Sequence, residues 1–238
     1  GAAIFHVRYQ DRQSYVDSVS TDASKSSVCG DLGYRASDIL QANCIIWVEG
    51  PSDRIYINYW LKSVASDLVE VINYSIMFYG GRLLSHLCAD DLNEQEVENF
   101  ISLRRLNRYI SIVIDSDRSK QEDTINRTKE RIRDEFDQGE GFAWITTGRE
   151  IENYIDPDLI ERAVLAVHSS SAIGLVNKGQ YENCLHFTKE DGKTNKKPDK
   201  VKIAYKVIEL SPDPDLDIYG LQEQVDKLVE FIRTANGA

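Results

Sequence analysis

Acidic residues follow several apolar segments of this chain, and this pattern constrains the fold more than any other feature. Residues 44–48 form a continuous apolar run rich in branched side chains, and Glu49 follows it directly. Residues 109–114 form a second such run, and Asp115 follows that one. Short apolar runs of this kind are typical of strands that are covered on both faces in a parallel sheet.

Strand-like and helix-like segments alternate through the middle of the chain. Strands are predicted at 44–48, 71–79, 109–114 and 141–145, and helices at 55–64, 83–108, 120–136 and 157–167. This alternation favours a mostly parallel central sheet with right-handed crossovers and flanking helices. The predicted fold class is therefore α/β.

The two ends of the chain have a different character. Residues 4–19 alternate around a polar centre, which predicts an N-terminal β-hairpin. Residues 175–198 are rich in Gly, Asn and Lys and predict a long flexible loop, and helices are expected at 200–210 and 219–234. We therefore divide the chain into a hairpin and linker at 1–40, an α/β core at 41–168, and a Lys-rich loop with a helical extension at 169–238.

Charge and composition narrow the classes of function. The net charge of −11 disfavours nucleic-acid binding, but residues 175–210 contain eight Lys against five acids. Lys196, Lys197, Lys200 and Lys202 of that segment are candidates for contacts with DNA phosphates. A solvated loop that carries Lys for solubility explains the same charge equally well. No apolar run is long enough to span a bilayer and the four Cys show no CxxC pairing, so we expect reduced thiols, a cytoplasmic setting and no membrane role.

The acidic residues are expected to meet, because loops at the carboxyl ends of parallel strands converge on one crevice. Glu49, Asp115, Glu150 and Glu152 each follow a predicted strand. Singly, each acid has a structural explanation as a helix cap, a turn residue or a surface acid. Together, clustered carboxylates repel one another unless cations intervene, and hard oxygen ligands select Mg²⁺ or Mn²⁺.

Three segments of the chain carry a family resemblance. Residues 48–53 (Val-Glu-Gly-Pro-Ser-Asp), 114–117 (Ile-Asp-Ser-Asp) and 148–154 (Gly-Arg-Glu-Ile-Glu-Asn-Tyr) resemble the Toprim domain shared by topoisomerases, bacterial primases and nucleases. The stretch from Asp31-Leu32-Gly33-Tyr34 to Trp60, with the last of these segments, is similar to the OLD (overcoming lysogenization defect) family of ATP-dependent endonucleases. The likeness covers roughly residues 4 to 210.

The resemblance implies a divalent-metal-dependent DNA endonuclease that uses one or two ions. It implies that metal is held by the acids of these motifs, which are Glu49, Asp53, Asp115, Asp117, Glu150 and Glu152. It gives Glu49 and Asp115 catalytic roles. Asp115 is the best candidate to bridge two ions because it is central in the expected strand order, and Glu49 is a ligand or, if only one metal binds, a general base. It also implies a Lys at the scissile phosphate, for which Lys200 is the first candidate and Lys202 the second.

The resemblance also implies partners. The family places an ABC-type ATPase ahead of the Toprim part, and this chain contains no Gly-x-x-x-x-Gly-Lys-Ser/Thr phosphate loop. The chain opens at Gly1, so we expect an ATPase upstream or in another chain, with homo-oligomers formed through that ATPase. The complete protein then resembles bacterial nucleases that defend against phage.

Two other functions compete with a nuclease. A non-catalytic Toprim module binds DNA or an assembly partner through the same fold. An Asp-x-Asp phosphatase uses Asp115 as nucleophile and Asp117 as general acid. The phosphatase is less favoured, because a Glu-terminated strand precedes the motif and Ser119 follows it.

Overall fold

The computed structural model describes residues 5–10, 13–18, 43–79, 109–137 and 141–237. Strands Phe5–Gln10 (β1) and Gln13–Ser18 (β2) pair antiparallel in a sheet of their own. The helix predicted at 83–108 and the motif at 31–34 lie outside the described residues.

A four-stranded parallel sheet forms the centre of the described chain. Its strands are Ile45–Val48 (β3), Ser75–Phe78 (β4), Ile110–Ile114 (β5) and Phe142–Ile145 (β6). Their order is β4-β3-β5-β6 and every neighbouring pair is parallel. The predicted α/β class and parallel sheet are thus confirmed. The two strands that end at Glu49 and Asp115 lie side by side in the middle of the sheet, and all four carboxyl ends lie at one edge.

Helices flank the sheet and begin at residues with recognisable capping chemistry. They are Pro51–Val64 (α1), Arg127–Asp137 (α2), Pro157–Val167 (α3), Lys200–Leu210 (α4) and Leu221–Ala235 (α5), with a short 3₁₀ helix at Ile151–Tyr154. The side chains of Asp156 and Asp199 accept hydrogen bonds from backbone N–H groups in the first turns of α3 and α4. Both helices have the predicted bounds.

Helix α2 begins seven residues later than the predicted start at 120. The Asn126 side chain accepts a hydrogen bond from the Thr128 N–H and so caps the helix there. Upstream, the Asp123 carboxylate accepts a hydrogen bond from the Ser119 N–H and stabilises a turn. The charged composition of 120–126 suggested helix, but these local side-chain bonds stabilise turns instead.

The segment predicted as a loop at 175–198 is loop for most of its length, but it also contains short strands that the sequence did not predict. Strands Ala172–Leu175 (β7), Phe187–Lys189 (β8) and Thr194–Asn195 (β9) form a three-stranded antiparallel sheet. Phe187 is fully buried, and its ring stacks on His168 at the end of α3 with centroids 4.6 Å apart. Burial of this aromatic side chain ties the small sheet to the core.

Apolar side chains cover both faces of the parallel sheet. On one face the rings of Trp60, Trp144 and Tyr154 lie within 6.0 Å of one another, in a cluster that also contains the buried faces of α4 and α5. On the other face Ile112 packs with Ile132 and other apolar side chains of α2. The C-terminal helices therefore belong to the same core as the sheet. No helix in the described ranges is both long and apolar enough to cross a bilayer.

Candidate functional site

Glu49 and Asp53 lie in the turn between β3 and α1. The Asp53 carboxylate accepts hydrogen bonds from the Gly50 N–H at 3.0 Å and from the Ser52 hydroxyl at 3.2 Å. Asp53 is 7% exposed, and burial raises its pKa although both hydrogen bonds oppose the rise. The helix begins at Pro51 rather than at the predicted residue 55, and its N-cap is Gly50 rather than Asp53. Asp53 lies in the first turn, where it binds the Gly50 N–H, and is a buried carboxylate near Glu49.

The Asp115–Asp117 segment, which follows β5, is tied to the loop that follows β6. An Asp115 carboxylate oxygen accepts a hydrogen bond from the Ile151 N–H at 2.9 Å. The Ser116 hydroxyl donates to the Gly148 carbonyl at 2.6 Å. These bonds fix Asp115 at the carboxyl edge of the sheet, next to the 3₁₀ helix that contains Glu152.

Asp117 occupies an unusual backbone conformation in this segment. Its φ is 57°, in the left-handed region, and its N–H donates to the Arg149 carbonyl at 2.9 Å. The Arg149 guanidinium donates in return to the Asp117 carbonyl at 3.2 Å. The Asp117 side chain is about half exposed. The carboxyls at this edge of the sheet form one acidic group. Asp117 lies at its rim, whereas Asp115 lies within it.

Lys200 joins Glu150 and Glu152 to the site. Its ammonium lies 2.7 Å from a Glu150 carboxylate oxygen and 3.2 Å from Oε2 of Glu152. Glu152 is fully buried, and its second oxygen, Oε1, has no hydrogen-bond partner. A buried carboxylate oxygen without a partner is costly, so this atom is available to a ligand.

The buried carboxyl groups influence one another. Burial, together with the charge of Asp53, raises the pKa of Glu49 to about 7, and the Lys200 ammonium opposes this rise. Burial raises the pKa of Glu152 to about 7, again against Lys200. The pKa of Asp115 lies well above its usual range because of burial and because of Asp53 and Glu49. Burial is the main cause of these shifts, and the neighbouring carboxylates add to it.

The same carboxylates also shift the pKa of Lys200. Burial alone would lower its pKa, but the carboxylates of Glu152 and Glu150 outweigh burial and raise it well above the usual range. Its side chain nevertheless remains 40% exposed. Lys200 is therefore a charged ammonium that faces the acids and also reaches solvent.

The other candidate lysines lie outside the acidic group. The Lys202 ammonium pairs with the Asp199 carboxylate at 3.0 Å and is 74% exposed. Lys196 and Lys197 are exposed beside β9. Of the two candidates for the phosphate, the structure brings only Lys200 to the acids.

Lys129 is a member of the site that sequence reasoning missed. Its ammonium donates to the Asp115 carbonyl oxygen at 2.8 Å and to the Asp117 carboxylate. The residue is 3% exposed. The only sequence signal was its spacing from Ile132 and Phe136, which places it on the buried face of α2.

The donor chemistry fits a hard cation, although the side chains are not arranged as a closed ligand set. Across the residues that the structure describes, no three Asp, Glu, His or Cys side chains come close enough together to hold one ion. The carboxylates of Asp53 and Asp115 accept from backbone N–H groups, and those of Glu150 and Asp117 bind the ammonium groups of Lys200 and Lys129. The oxygen donors of the acidic group, including the unpartnered Oε1 of Glu152, are of the type that Mg²⁺ and Mn²⁺ prefer.

Comparison of the chain with protein-family models, characterised proteins and solved structures finds no match. The Toprim and OLD resemblance therefore rests on the three motifs alone. The α/β fold with a parallel sheet is the class of protein that the structure defines.

Proposed function

We propose that this chain is a divalent-metal-dependent DNA endonuclease domain of the Toprim type, as its resemblance to the OLD family implies. The observation that supports this most is the grouping of buried and half-buried carboxyls from three loops at one edge of the sheet. Glu49, Asp115 and Glu152 come from the loops after β3, β5 and β6, and Oε1 of Glu152 is buried without a partner. A crevice at the carboxyl ends of parallel strands is the usual ligand site of such a sheet.

In this proposal the buried carboxylates hold Mg²⁺ or Mn²⁺, as one ion or two. Glu49, Asp53, Asp115 and Glu152 are the proposed ligands, and Glu150 and Asp117 lie at the rim. A bound ion supplies an activated water and stabilises the leaving oxygen of a phosphodiester. Cation binding also relieves the repulsion that raises the carboxyl pKa values.

Lys200 has the geometry to assist at the phosphate. Its ammonium lies against Glu150 and Glu152 and is 40% exposed, so one side of it is open to a substrate. A phosphate placed there gains a charge-assisted hydrogen bond as negative charge grows on its oxygens. Glu49 remains a ligand or, where one ion binds, a general base.

The proposed partners are DNA and an ABC-type ATPase upstream or in another chain, with homo-oligomers formed through that ATPase. Lys196, Lys197 and Lys202 are proposed to contact DNA phosphates beside the site, because their exposed ammonium groups lie on the same segment as Lys200. A role in defence against phage and a cytoplasmic location belong to the same proposal.

Nicking of supercoiled plasmid by the purified chain tests this function. We expect conversion to the open-circular form in Mn²⁺ or Mg²⁺, none in EDTA, and none with Asp115→Asn under any condition. DNA binding without cleavage in either metal would favour the non-catalytic module. A stable acyl-phosphate on Asp115 after incubation with phosphomonoesters would favour the phosphatase.

A further inference from the structure

Among the residues that the structure describes, Lys129 is the only buried lysine. It lies in the first turn of α2, three and seven residues before Ile132 and Phe136, and all three side chains face the sheet. An apolar side chain is the ordinary occupant of such a position, because burying an ammonium is costly unless it is paired. The contacts of this ammonium therefore need an explanation.

The Lys129 ammonium makes two hydrogen bonds to the Asp115–Asp117 segment. It donates to the Asp115 carbonyl oxygen at 2.8 Å and to the Asp117 carboxylate. Asp117 has a φ of 57°, in the left-handed region that Asp adopts more readily than most non-glycine residues, and its carboxylate binds Lys129 in that conformation. Lys129 thus binds both ends of the segment, whereas the Ile151 N–H binds the Asp115 carboxylate.

We propose that Lys129 is a positioning residue for the cation site. It fixes the Asp115–Asp117 segment so that the Asp115 carboxylate faces the other buried acids, and it binds Asp117 in place of a metal ion. This inference rests on the proposed metal-dependent function. It reduces the inner ligands to Glu49, Asp53, Asp115 and Glu152, and leaves Asp117 as the partner of an internal ammonium.

The two possible roles of Lys129, as a mere charge and as a positioning residue, predict opposite changes in metal affinity when it is removed. A buried ammonium repels a nearby divalent cation, so a neutral side chain at this position should strengthen metal binding if charge is all that matters. A residue that orients a ligand has the reverse effect, because loss of such an outer contact typically weakens metal binding by about tenfold to a hundredfold. The sign of the change in affinity distinguishes the two roles.

The experiment measures the Mn²⁺ dissociation constant by electron paramagnetic resonance of the free ion, with no substrate present. We expect Lys129→Met to weaken Mn²⁺ binding at least about tenfold, and Lys129→Arg to restore part of the loss. Asp117→Asn keeps an acceptor for Lys129, so its affinity should stay within about threefold of the wild type. Lys227→Met is the matched control. It removes an exposed lysine on α5 that pairs with Glu223, and should leave the Mn²⁺ dissociation constant unchanged.

Each possible result supports or overturns the positioning role of Lys129. Equal or tighter Mn²⁺ binding by Lys129→Met would overturn the positioning role, and a loss in Asp117→Asn as large as in Asp115→Asn would make Asp117 a ligand. Absence of Mn²⁺ binding by the wild type would overturn the proposed function and this inference with it. If circular dichroism shows that Lys129→Met does not fold, Lys129→Arg and Lys129→Gln replace it. Retained affinity in Arg with loss in Gln supports the role, and retained affinity in both contradicts it.

Discussion

Replacement of Lys200 by Met should destabilise the metal-free protein through Glu152. The Lys200 ammonium lies 3.2 Å from a carboxylate that is fully buried and whose other oxygen has no partner. Removing one member of a buried ion pair costs about 3–5 kcal/mol. Here the Lys200 side chain is 40% exposed, and Glu152 can take up a proton because its pKa is already raised to about 7. Both effects reduce the expected loss to about 1–3 kcal/mol.

Thermal and urea unfolding in EDTA, followed by circular dichroism, measure this loss. For a chain of this length, 1 kcal/mol corresponds to about 2–4 °C in Tm, so Lys200→Met should melt about 2–12 °C below the wild type. Adding Glu152→Gln removes the uncompensated charge and should recover most of the stability. Lys202→Met removes an ammonium that is 74% exposed, and should cost less than about 0.5 kcal/mol.

Two results would refute this reasoning. One is equal stability of the Lys200→Met and Lys202→Met proteins. The other is a Lys200→Met protein that Glu152→Gln does not rescue, because the charge of Glu152 would then not be the source of the loss.

Three further predictions concern metal, substrate and pH. Mg²⁺ or Mn²⁺ should raise the Tm of the wild type and raise it less for Asp115→Ala, because an ion bound only by the folded site stabilises it; equal rises would remove the metal-site argument. Lys200→Ala should lower nicking turnover more than DNA affinity, and should lower turnover more than Lys202→Ala does. A larger loss of cleavage in Lys202→Ala would assign the role at the scissile phosphate to Lys202. In EDTA the folded protein retains protons on Glu49 and Glu152 up to about pH 7, whereas the unfolded chain releases them near 4.5. The free energy of unfolding should therefore fall as pH rises from about 4.5 to about 7. A urea midpoint that rises over this range would contradict the raised pKa values of Glu49 and Glu152.

The sheet and its acidic edge were predictable because their signals are local. The runs before Glu49 and Asp115 are apolar on both faces, which only a covered strand explains, and β5 is indeed buried at every position. The positions of the acids followed from the parallel sheet, since all strands of such a sheet end at one edge. The starts of α3 and α4 are also set locally, because the Asp156 and Asp199 side chains accept hydrogen bonds from N–H groups in the first turns.

The parts that sequence reasoning missed depend on contacts distant in the chain. Strands β8 and β9 have three and two residues, too few for an alternating pattern to be detected. Lys129 is one of several cations in a strongly charged helix, and its burial depends on how α2 rotates against the sheet. Lys200 had been ranked ahead of Lys202 from the motif resemblance, and packing brings only this first residue of α4 to Glu150 and Glu152.

Glu49→Gln gives the most direct test of the proposed nuclease. The substitution keeps the size of the side chain and much of its hydrogen bonding, but removes the negative charge that holds a cation. A Glu that only accepts hydrogen bonds in the Gly50-Pro51 turn should tolerate the change, with at most about 1 kcal/mol of stability lost.

The measurement is metal-dependent nicking of supercoiled plasmid by wild type and Glu49→Gln, with melting curves and DNA affinity recorded for both. We predict that Glu49→Gln folds normally, binds DNA, and loses at least about a hundredfold in cleavage. Near-wild-type nicking by this variant, with contaminating nuclease excluded, would contradict the nuclease proposal and favour a DNA-binding module.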